Sequence, residues 1–284
     1  MSPEIRDILA KCARGAIYRR AFLESLAMIA GGTAAAAALL RGAENGGTAQ
    51  VVPKDDPRLE TGYIKYPDAA GDMRAYSARP KGAGKVAGVI VIHENRGLNP
   101  HTEDIARRVA LEGFQAIAPD ALSPVGGTPG DPDLARGLFQ KLDPQANTKN
   151  FVAAVAYLKT QPQATGKVAV MGFCWGGGMT NQVAVNAPDL AAAVPFYGMP
   201  PAPEDVAKIK AAVLAHYAGD DERINAGIPA FEDALKKAGI DYKIYIYEGA
   251  QHAFMNDTSA RYNKEAAELA WQRTVAFLKE KLKT

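Results

Sequence analysis

The sequence is poor in residues that form disulfides and metal centres, with two cysteines and four histidines among 284 residues. Cys12 lies in a segment with the features of an export signal, so a processed chain would keep Cys174 alone and form no internal disulfide. The histidines show no ligand spacing such as H-E-x-x-H, so no metal site is expected. A single thiol in such a protein favours a chemical role for Cys174.

A strong net charge is also missing, because 33 Lys and Arg residues stand against 31 Asp and Glu residues. This balance offers no basic surface typical of nucleic-acid binding, and no nucleic-acid partner is expected. The hydrophobic share of 48% is ordinary for a globular protein with a sizeable core. With no internal repeat and no sign of a second domain, residues 51–284 are predicted to form one domain.

Residues 1–50 differ in composition from the rest of the chain. Arg19 and Arg20 precede an alanine-rich run over residues 25–40, which resembles a bacterial twin-arginine export signal. The run is short for a membrane span, so no stable membrane insertion is expected after signal removal. We predict a periplasmic or secreted protein. The alternative is an attached amphipathic or disordered helix on a cytoplasmic protein, and the cleavage site is left open.

Apolar strands and helical segments alternate along the remaining chain. The patterns predict a hairpin over 62–66 and 73–77, strands over 86–92, 115–118, 168–173, 191–196, 212–217 and 242–247, and helices over 102–112, 150–159, 178–187, 228–237 and 264–282. Residues 121–135, rich in proline and glycine, are predicted to form a long loop over the site. Near-continuous apolar strands indicate an α/β fold with a mainly parallel central sheet and helices on both faces.

The segment Gly-Phe-Cys-Trp-Gly-Gly at 172–177 follows an apolar strand and precedes a helix. A nucleophile between glycines in this setting is typical of the strand-turn-helix elbow of α/β-hydrolases. Small residues permit the strained turn and the close approach of helix and strand. The nucleophile is Cys174 in place of serine. A cysteine at a strand end can also be a buried apolar residue, and the elbow favours catalysis.

Asp221 and His252 each follow a later strand, which gives the order nucleophile, acid, histidine. A thiol attacks as its thiolate, so an imidazole must take or share its proton, and a carboxylate must orient the imidazole. Asp220 is the alternative acid. Asp221 is favoured because the Asp-x-x-Ile pattern places the apolar side chain of Ile224 back in the core.

The tetrahedral intermediate of such a reaction needs two backbone donors for its oxyanion. One is expected to be the amide of Trp175, directly after the nucleophile, and the other the amide of Asn95, in the turn after strand 86–92.

Together these motifs resemble the dienelactone hydrolase (carboxymethylenebutenolidase) family over about residues 60–284. The resemblance is carried by segments 93–97 (His-Glu-Asn-Arg-Gly), 172–177, 219–224 (Gly-Asp-Asp-Glu-Arg-Ile) and 249–254 (Gly-Ala-Gln-His-Ala-Phe). It implies an α/β-hydrolase with a Cys-His-Asp triad and no cofactor, which hydrolyses a small ester or lactone through an acyl-enzyme. It also implies that Glu94 contacts the resting cysteine and helps form the thiolate. The alternative is that Glu94 only orders the oxyanion turn.

The chain departs from the family pattern at one substrate position. Members that cleave dienelactone hold the substrate carboxylate with arginines, one of them four residues after the histidine, where this chain has Asn256. Arg96, Phe254 and Asn256 are the candidate substrate contacts here, and Arg136 is a further source of positive charge. A related ester, lactone or thioester is therefore as well supported as dienelactone. Acyl transfer and a non-catalytic binding role remain alternatives, and the oligomeric state is left open.

Overall fold

One sheet of eight strands organises the part of the chain that the structure, a computed structural model, describes, namely residues 50–67 and 71–283. The strands are β1 Leu59–Pro67, β2 Asp72–Pro80, β3 Val86–Ile92, β4 Gln115–Pro119, β5 Ala164–Phe173, β6 Ala192–Phe196, β7 Ala212–Asp220 and β8 Tyr242–Gln251. Their spatial order is β1-β2-β4-β3-β5-β6-β7-β8. Strands β3 to β8 are parallel, and β2 runs antiparallel to both of its neighbours.

Helices cover the sheet on both faces, as the sequence predicts. The helices are α1 Pro100–Leu111, α2 Pro132–Leu138, α3 Pro144–Thr160, α4 Trp175–Asn186, α5 Pro203–Val206, α6 Glu222–Asn225, α7 Ile228–Lys237 and α8 Lys264–Leu282. Val89 and Val91 of β3 pack in the layer under α1 and α8, and Ile90 and Ile92 pack under α3, α4 and α7. Burial on both faces explains why this strand is a continuous apolar run.

Several predicted boundaries are wrong; α3, for example, begins at Pro144 rather than at residue 150, and β8 ends at Gln251 rather than at residue 247. The errors over residues 121–135 and at the start of α4 have identifiable reasons. Residues 121–135 are not one loop, because a 3-10 turn forms at Ser123–Val125 and α2 begins at Pro132. The Asp131 side chain caps α2 by accepting a hydrogen bond from the amide of Asp133 at 2.8 Å, and a proline at the first helical position suits a helix start. The proline and glycine content of the segment obscured this cap.

Helix α4 begins at Trp175 rather than at Gly178, so the elbow leads into the helix without an intervening loop. The glycines after Trp175 therefore form the first helical turn. A β-carbon at Gly177 would lie against the carbonyl oxygen of Phe196, so this turn packs directly on the end of β6. Gly177 is therefore required by the close packing of backbones and not by a turn conformation.

The chain from Gln50 onward forms one compact unit. The predicted export signal lies outside the described residues, which begin at Gln50. Among the helices that the structure describes, none combines the length and the apolar character needed to cross a membrane.

Candidate active site

The predicted site residues gather at the carboxyl edge of the parallel strands. Five strands each deliver one residue immediately beyond or near their ends: Glu94 after β3, Cys174 after β5, Tyr197 after β6, Asp221 after β7 and His252 after β8. The direction of strand succession reverses at β3, whose neighbours are β4 and β5. A crevice is expected at such a reversal, and a cavity of about 420 Å³ lined by Cys174, Tyr197 and His252 lies there.

Cys174 has a backbone conformation, φ 57° and ψ −114°, that residues other than glycine rarely adopt. Its amide donates a hydrogen bond to the Phe196 carbonyl at 3.0 Å, which ties the turn to β6. A β-carbon at Gly176 would lie against the carbonyl oxygen of His93, so the turn after β3 is equally close. Packing from both neighbouring strands thus maintains the strained elbow.

His252 is joined to Asp221 by a hydrogen bond of 2.5 Å between Nδ1 and Oδ2. A carboxylate can only accept, so Nδ1 carries a proton and Nε2 is left to exchange protons with other groups. Asp221 is buried, whereas Asp220 is exposed and pairs with Gln251 at the ends of β7 and β8. Of the two adjacent aspartates, Asp221 is the one that contacts the imidazole.

The Cys174 thiol is neutral at pH 7, because its environment raises the pKa to about 11. Burial is the largest cause, and the negative charges of Glu94 and Asp221 act in the same direction. The backbone amide of Trp175 and the guanidinium of Arg223 oppose them without reversing the shift. Cys174 and His252 line the same cavity, and among the hydrogen bonds of the described residues none joins the thiol to the imidazole.

Glu94 is held by donors on both carboxylate oxygens. The Asn256 side-chain amide donates to Oε2 at 3.0 Å, and the Tyr197 hydroxyl donates to Oε1 at 3.4 Å. Both donors belong to buried residues. Burial, and then the charge of Glu94, raise the pKa of Tyr197 well above its usual value, so its hydroxyl stays protonated as a donor.

The turn that carries Glu94 and Asn95 is fixed from below by His93. The amide of Ala121 donates to His93 Nε2 at 3.1 Å, so the proton of the neutral ring is on Nδ1, which donates to the Glu94 carbonyl at 2.6 Å. Burial lowers the pKa of His93, which keeps the ring neutral. The His93 ring therefore links the backbone of this turn to the segment that follows β4.

Segment 121–135 supports this turn and contributes no side chain to the cavity lining. The Thr128 hydroxyl accepts a hydrogen bond from the amide of Leu98 at 3.0 Å and contacts Asp120 at 2.6 Å. The segment thus contacts the turn after β3, and its predicted position over the site stays a prediction.

Trp175 and Asn95, the predicted oxyanion donors, both line the cavity with Cys174. Trp175 is the first residue of α4, where backbone amides have no acceptor within the helix. Its indole stacks on His93, with ring centroids 5.7 Å apart, and meets Phe139 edge-on at 4.8 Å. These contacts fix the position of the Trp175 ring.

The candidate substrate contacts lie away from the cavity lining. Arg96 is exposed, and Phe254 is fully buried against Tyr197 with ring centroids 5.4 Å apart. Asn256 is engaged with Glu94, and Arg136 is exposed 3.8 Å from Asp133. None of the four belongs to the residues that line the cavity.

Sequence reasoning missed Tyr197 and Arg223, both of which line the cavity. Tyr197 follows β6, and the sequence after this strand carries no motif like those that mark Cys174, Asp221 and His252. Its φ of 38° turns the chain so that the ring lies 5.0 Å from that of His252. Arg223 lies in the same motif as Asp221, so the sequence indicates that Arg223 is near the site but not that it lines the cavity.

Within residues 50–67 and 71–283, no three His, Cys, Asp or Glu side chains form a group that could hold a metal ion. The chemistry available at the site is that of a thiol, an imidazole and two carboxylates.

Comparison with known proteins gives a consistent result. Residues 73–282 match the model of the dienelactone hydrolase family. A protein of Saccharolobus solfataricus named as a carboxymethylenebutenolidase is 36% identical over 254 residues, which cover 76% of this chain and 97% of that protein. A protein of Escherichia coli strain K12 with the same name is 33% identical over 81% of this chain and 90% of its own length.

Solved structures agree with this result. A structure described as a dienelactone hydrolase from Klebsiella pneumoniae has a TM-score of 0.71 and 31% identity, over 78% of this chain and 99% of that one. A dienelactone hydrolase-like promiscuous phosphotriesterase from metagenomic libraries has a TM-score of 0.68 and 26% identity, over 79% and 99%. The predicted α/β-hydrolase fold is thereby confirmed.

Proposed function

The chain belongs to the dienelactone hydrolase family, whose members hydrolyse ester or lactone bonds, and we propose that it acts through a Cys174–His252–Asp221 triad and an acyl-enzyme. The observation that carries this proposal is the 2.5 Å bond from His252 to Asp221 on the wall of the cavity that Cys174 also lines. It leaves the imidazole oriented, with one nitrogen free to exchange protons near the thiol.

In the first half-reaction the proton of the Cys174 thiol passes to Nε2 of His252, directly or through Glu94, and the thiolate attacks the carbonyl carbon of the ester. The carbonyl oxygen becomes an oxyanion, stabilised by the amides of Trp175 and Asn95. When the carbon–oxygen bond breaks, imidazolium at His252 gives its proton to the departing alkoxide. The product of this half-reaction is a thioester on Cys174.

In the second half-reaction His252 takes a proton from water, and the resulting hydroxide attacks the thioester. The bond between carbon and sulfur breaks, the carboxylic acid leaves, and the thiol is restored by the proton on the imidazole. Asp221 keeps its charge throughout and stabilises the imidazolium in each half-reaction.

Glu94 has a double role in this proposal. As a carboxylate held by Asn256 and Tyr197, it opposes ionisation of Cys174 in the free protein. If substrate binding brings the thiol proton onto Glu94, the opposing charge disappears at the moment when the thiolate forms. The pair then carries one negative charge before and after the transfer, so nucleophile formation needs no new charge in the buried site.

We place dienelactone itself behind esters that lack a neighbouring carboxylate. Asn256 is neutral and bound to Glu94, so position 256 offers no cation to a substrate carboxylate. Among the residues lining the cavity, the only one with a permanent positive charge is Arg223, on the α6 side. The proposed substrate is therefore an ester or a lactone.

The test is hydrolysis of p-nitrophenyl acetate, a simple lactone and dienelactone by the wild type and by Cys174→Ala. We expect Cys174→Ala to lose at least about 10³-fold in kcat, as for other nucleophile deletions. With p-nitrophenyl acetate, an acyl-enzyme should accumulate transiently if deacylation is slow. Mass spectrometry would detect it as a chain carrying one added acetyl group, about 42 Da heavier than the free protein. Turnover that persists in Cys174→Ala would overturn the proposal.

The alternatives separate in the same assay. Formation of a new ester when an alcohol is added would assign acyl transfer, and preferred cleavage of a thioester would assign a thioesterase. Absence of turnover on every substrate, with the protein folded and the thiol reduced, would favour a binding protein.

We also propose that residues 1–50 direct export through a twin-arginine signal, which rests on Arg19 and Arg20 before the alanine-rich run. Cell fractionation of the full chain and of an Arg19→Lys, Arg20→Lys variant tests this. Retention of only the variant in the cytoplasm is expected, and equal retention of both would refute export.

A further inference from the structure

A groove between α3 and α4 adjoins the catalytic cavity. Its volume is about 730 Å³, and Met179 and Gln182 line both the groove and the cavity. The two spaces therefore meet at these side chains on α4. Nothing in the proposed chemistry uses the groove, so it needs a separate explanation.

The groove is built from one face of each helix. On α3 the lining residues Gln145, Thr148 and Val152 recur at intervals of three and four residues, which places them on a single face. On α4 the apolar lining residues are Met179 and Val185, each 7% exposed. An apolar floor thus runs between polar edges.

The edges of the groove are polar and face water. Gln145 and Lys149 are exposed on the α3 side, and Lys208 forms an ion pair with Asp205 on the opposite side. A ligand that fits this groove has an apolar part that contacts Met179 and Val185. It carries no charge that would have to be neutralised inside the groove.

We propose that the α3–α4 groove binds the apolar chain of an extended ester substrate, which enters it across Met179 and Gln182 from the catalytic cavity. This inference rests on the hydrolase function proposed above and adds the substrate class, an ester with a medium-length alkyl chain.

The length of the chain follows from helix geometry. At about 1.5 Å per residue, Met179 and Gln182 lie roughly 7 and 12 Å along the helix axis from Cys174. An extended chain covers about 1.2 Å per bond, by analogy with the extended backbone. An acetyl group therefore stays beside the nucleophile, whereas an octanoyl group reaches the start of the groove.

The experiment compares kcat/KM for p-nitrophenyl acetate, butyrate, hexanoate and octanoate. Burial of one methylene group is worth roughly a fourfold gain in kcat/KM, so the wild type should prefer octanoate to butyrate by at least about tenfold. The same comparison with ethyl and octyl acetate shows whether the chain belongs to the acyl or to the alcohol part.

Thr148→Trp fills the groove from its α3 side, and we expect it to reduce the octanoate-to-acetate ratio about tenfold. Lys149→Trp is the second blocking variant, because its side chain is exposed and tolerates replacement. Thr160→Trp, on the same helix but outside groove and cavity, is the matched control and should keep the wild-type ratio.

Two results would overturn the inference while leaving the hydrolase function intact. One is Cys174-dependent turnover with a flat profile in both series, which would leave the groove to another occupant such as a second copy of the chain. The other is a rising profile that survives both blocking variants. Loss of all turnover would instead refute the proposed function.

Binding can also be measured without turnover. Sodium octanoate should raise the thermal midpoint of the wild type more than butyrate does, and this difference should disappear in Thr148→Trp. Equal shifts for the two acids in the wild type would count against the groove whatever the activity.

Discussion

The side-chain amide of Asn256 donates a hydrogen bond of 3.0 Å to Glu94, a residue 162 positions earlier in the chain. The orientation of this amide is set by Thr258, whose backbone amide and hydroxyl both donate to Asn256 Oδ1. The nitrogen must therefore face Glu94. A neutral donor stabilises the carboxylate without cancelling its charge, so the charge still acts on Cys174.

Alkylation of Cys174 should report this charge directly. The free protein should react slowly with iodoacetamide at pH 7, because the pKa of Cys174 is raised to about 11 and only the thiolate reacts. Glu94→Gln removes one cause of the raised pKa of Cys174, so the pH midpoint of labelling should fall. Asn256→Arg should lower it as well, since a cation would face Glu94.

The matched control for this measurement is Glu248→Gln, which removes an exposed carboxylate of β8 outside the cavity lining. An unchanged midpoint in Glu94→Gln would contradict the role assigned to this carboxylate. Slow labelling alone does not indicate an inert cysteine here, because the structure explains it by burial and charge.

Neighbouring aspartates offer a second test. Asp221→Asn keeps the size of the side chain but removes the charge and favours the wrong imidazole tautomer, so kcat should fall by about 10²- to 10⁴-fold. Asp220→Asn should stay within about twofold of the wild type, because Asp220 is exposed at the end of β7. Steady-state kinetics on one ester decides between them, and a larger loss in Asp220→Asn would reassign the acid.

Adjacent glycines in α4 should respond differently to alanine. A β-carbon at Gly177 meets the backbone of Phe196 and Gly198, so Gly177→Ala should lower the free energy of unfolding by about 1–3 kcal/mol. The nearest atoms to a β-carbon at Gly178 are 3.6–3.8 Å away, an ordinary contact. Gly178→Ala should therefore raise the free energy of unfolding by up to about 1 kcal/mol. Equal effects in urea denaturation would show that the packing of this turn is not tight.

His216 should make the fold sensitive to acid. Burial, and next the charge of Arg273, lower its pKa to about 3, while an unfolded histidine titrates near 6.5. Between these values the unfolded chain binds the extra proton, so the free energy of unfolding falls as the pH falls, by up to about 1.4 kcal/mol per pH unit. Its contribution is complete above pH 6.5.

Urea denaturation of the wild type and His216→Gln at pH 7, 6 and 5 checks this. The variant can be less stable at every pH, because it loses contacts of His216 with Tyr247 and Thr274, but its curve should be flatter. Parallel curves for the two proteins would mean that His216 does not titrate in this way.

The sheet and the elbow could be predicted because their signals are local. Apolar runs between helices mark the strands, and glycines around Cys174 mark a strained turn. Asp221 and His252 could be proposed because each follows a strand whose end must lie at the same edge.

The two hydrogen bonds that Glu94 accepts from Asn256 and Tyr197 could not be predicted, because they join residues that follow β3, β6 and β8. A tyrosine after an apolar strand is common, and only the positive φ of Tyr197 directs its ring toward His252. Likewise, Arg96 was a candidate substrate contact for its positive charge and Asn256 for its position in the family motif, and neither criterion shows that Phe254 is buried or that Arg96 is exposed.

Cys174 is the sole sulfhydryl of the chain after residue 12, and its protonation governs more than catalysis. With a pKa of about 11, only about one molecule in 10⁴ carries the thiolate at pH 7. Peroxide and other oxidants attack the thiolate, so the resting protein is shielded from conversion to sulfenic and higher acids. The burial and the neighbouring negative charges that keep the thiol protonated at rest also protect it from oxidation, and its oxidative damage should increase during turnover.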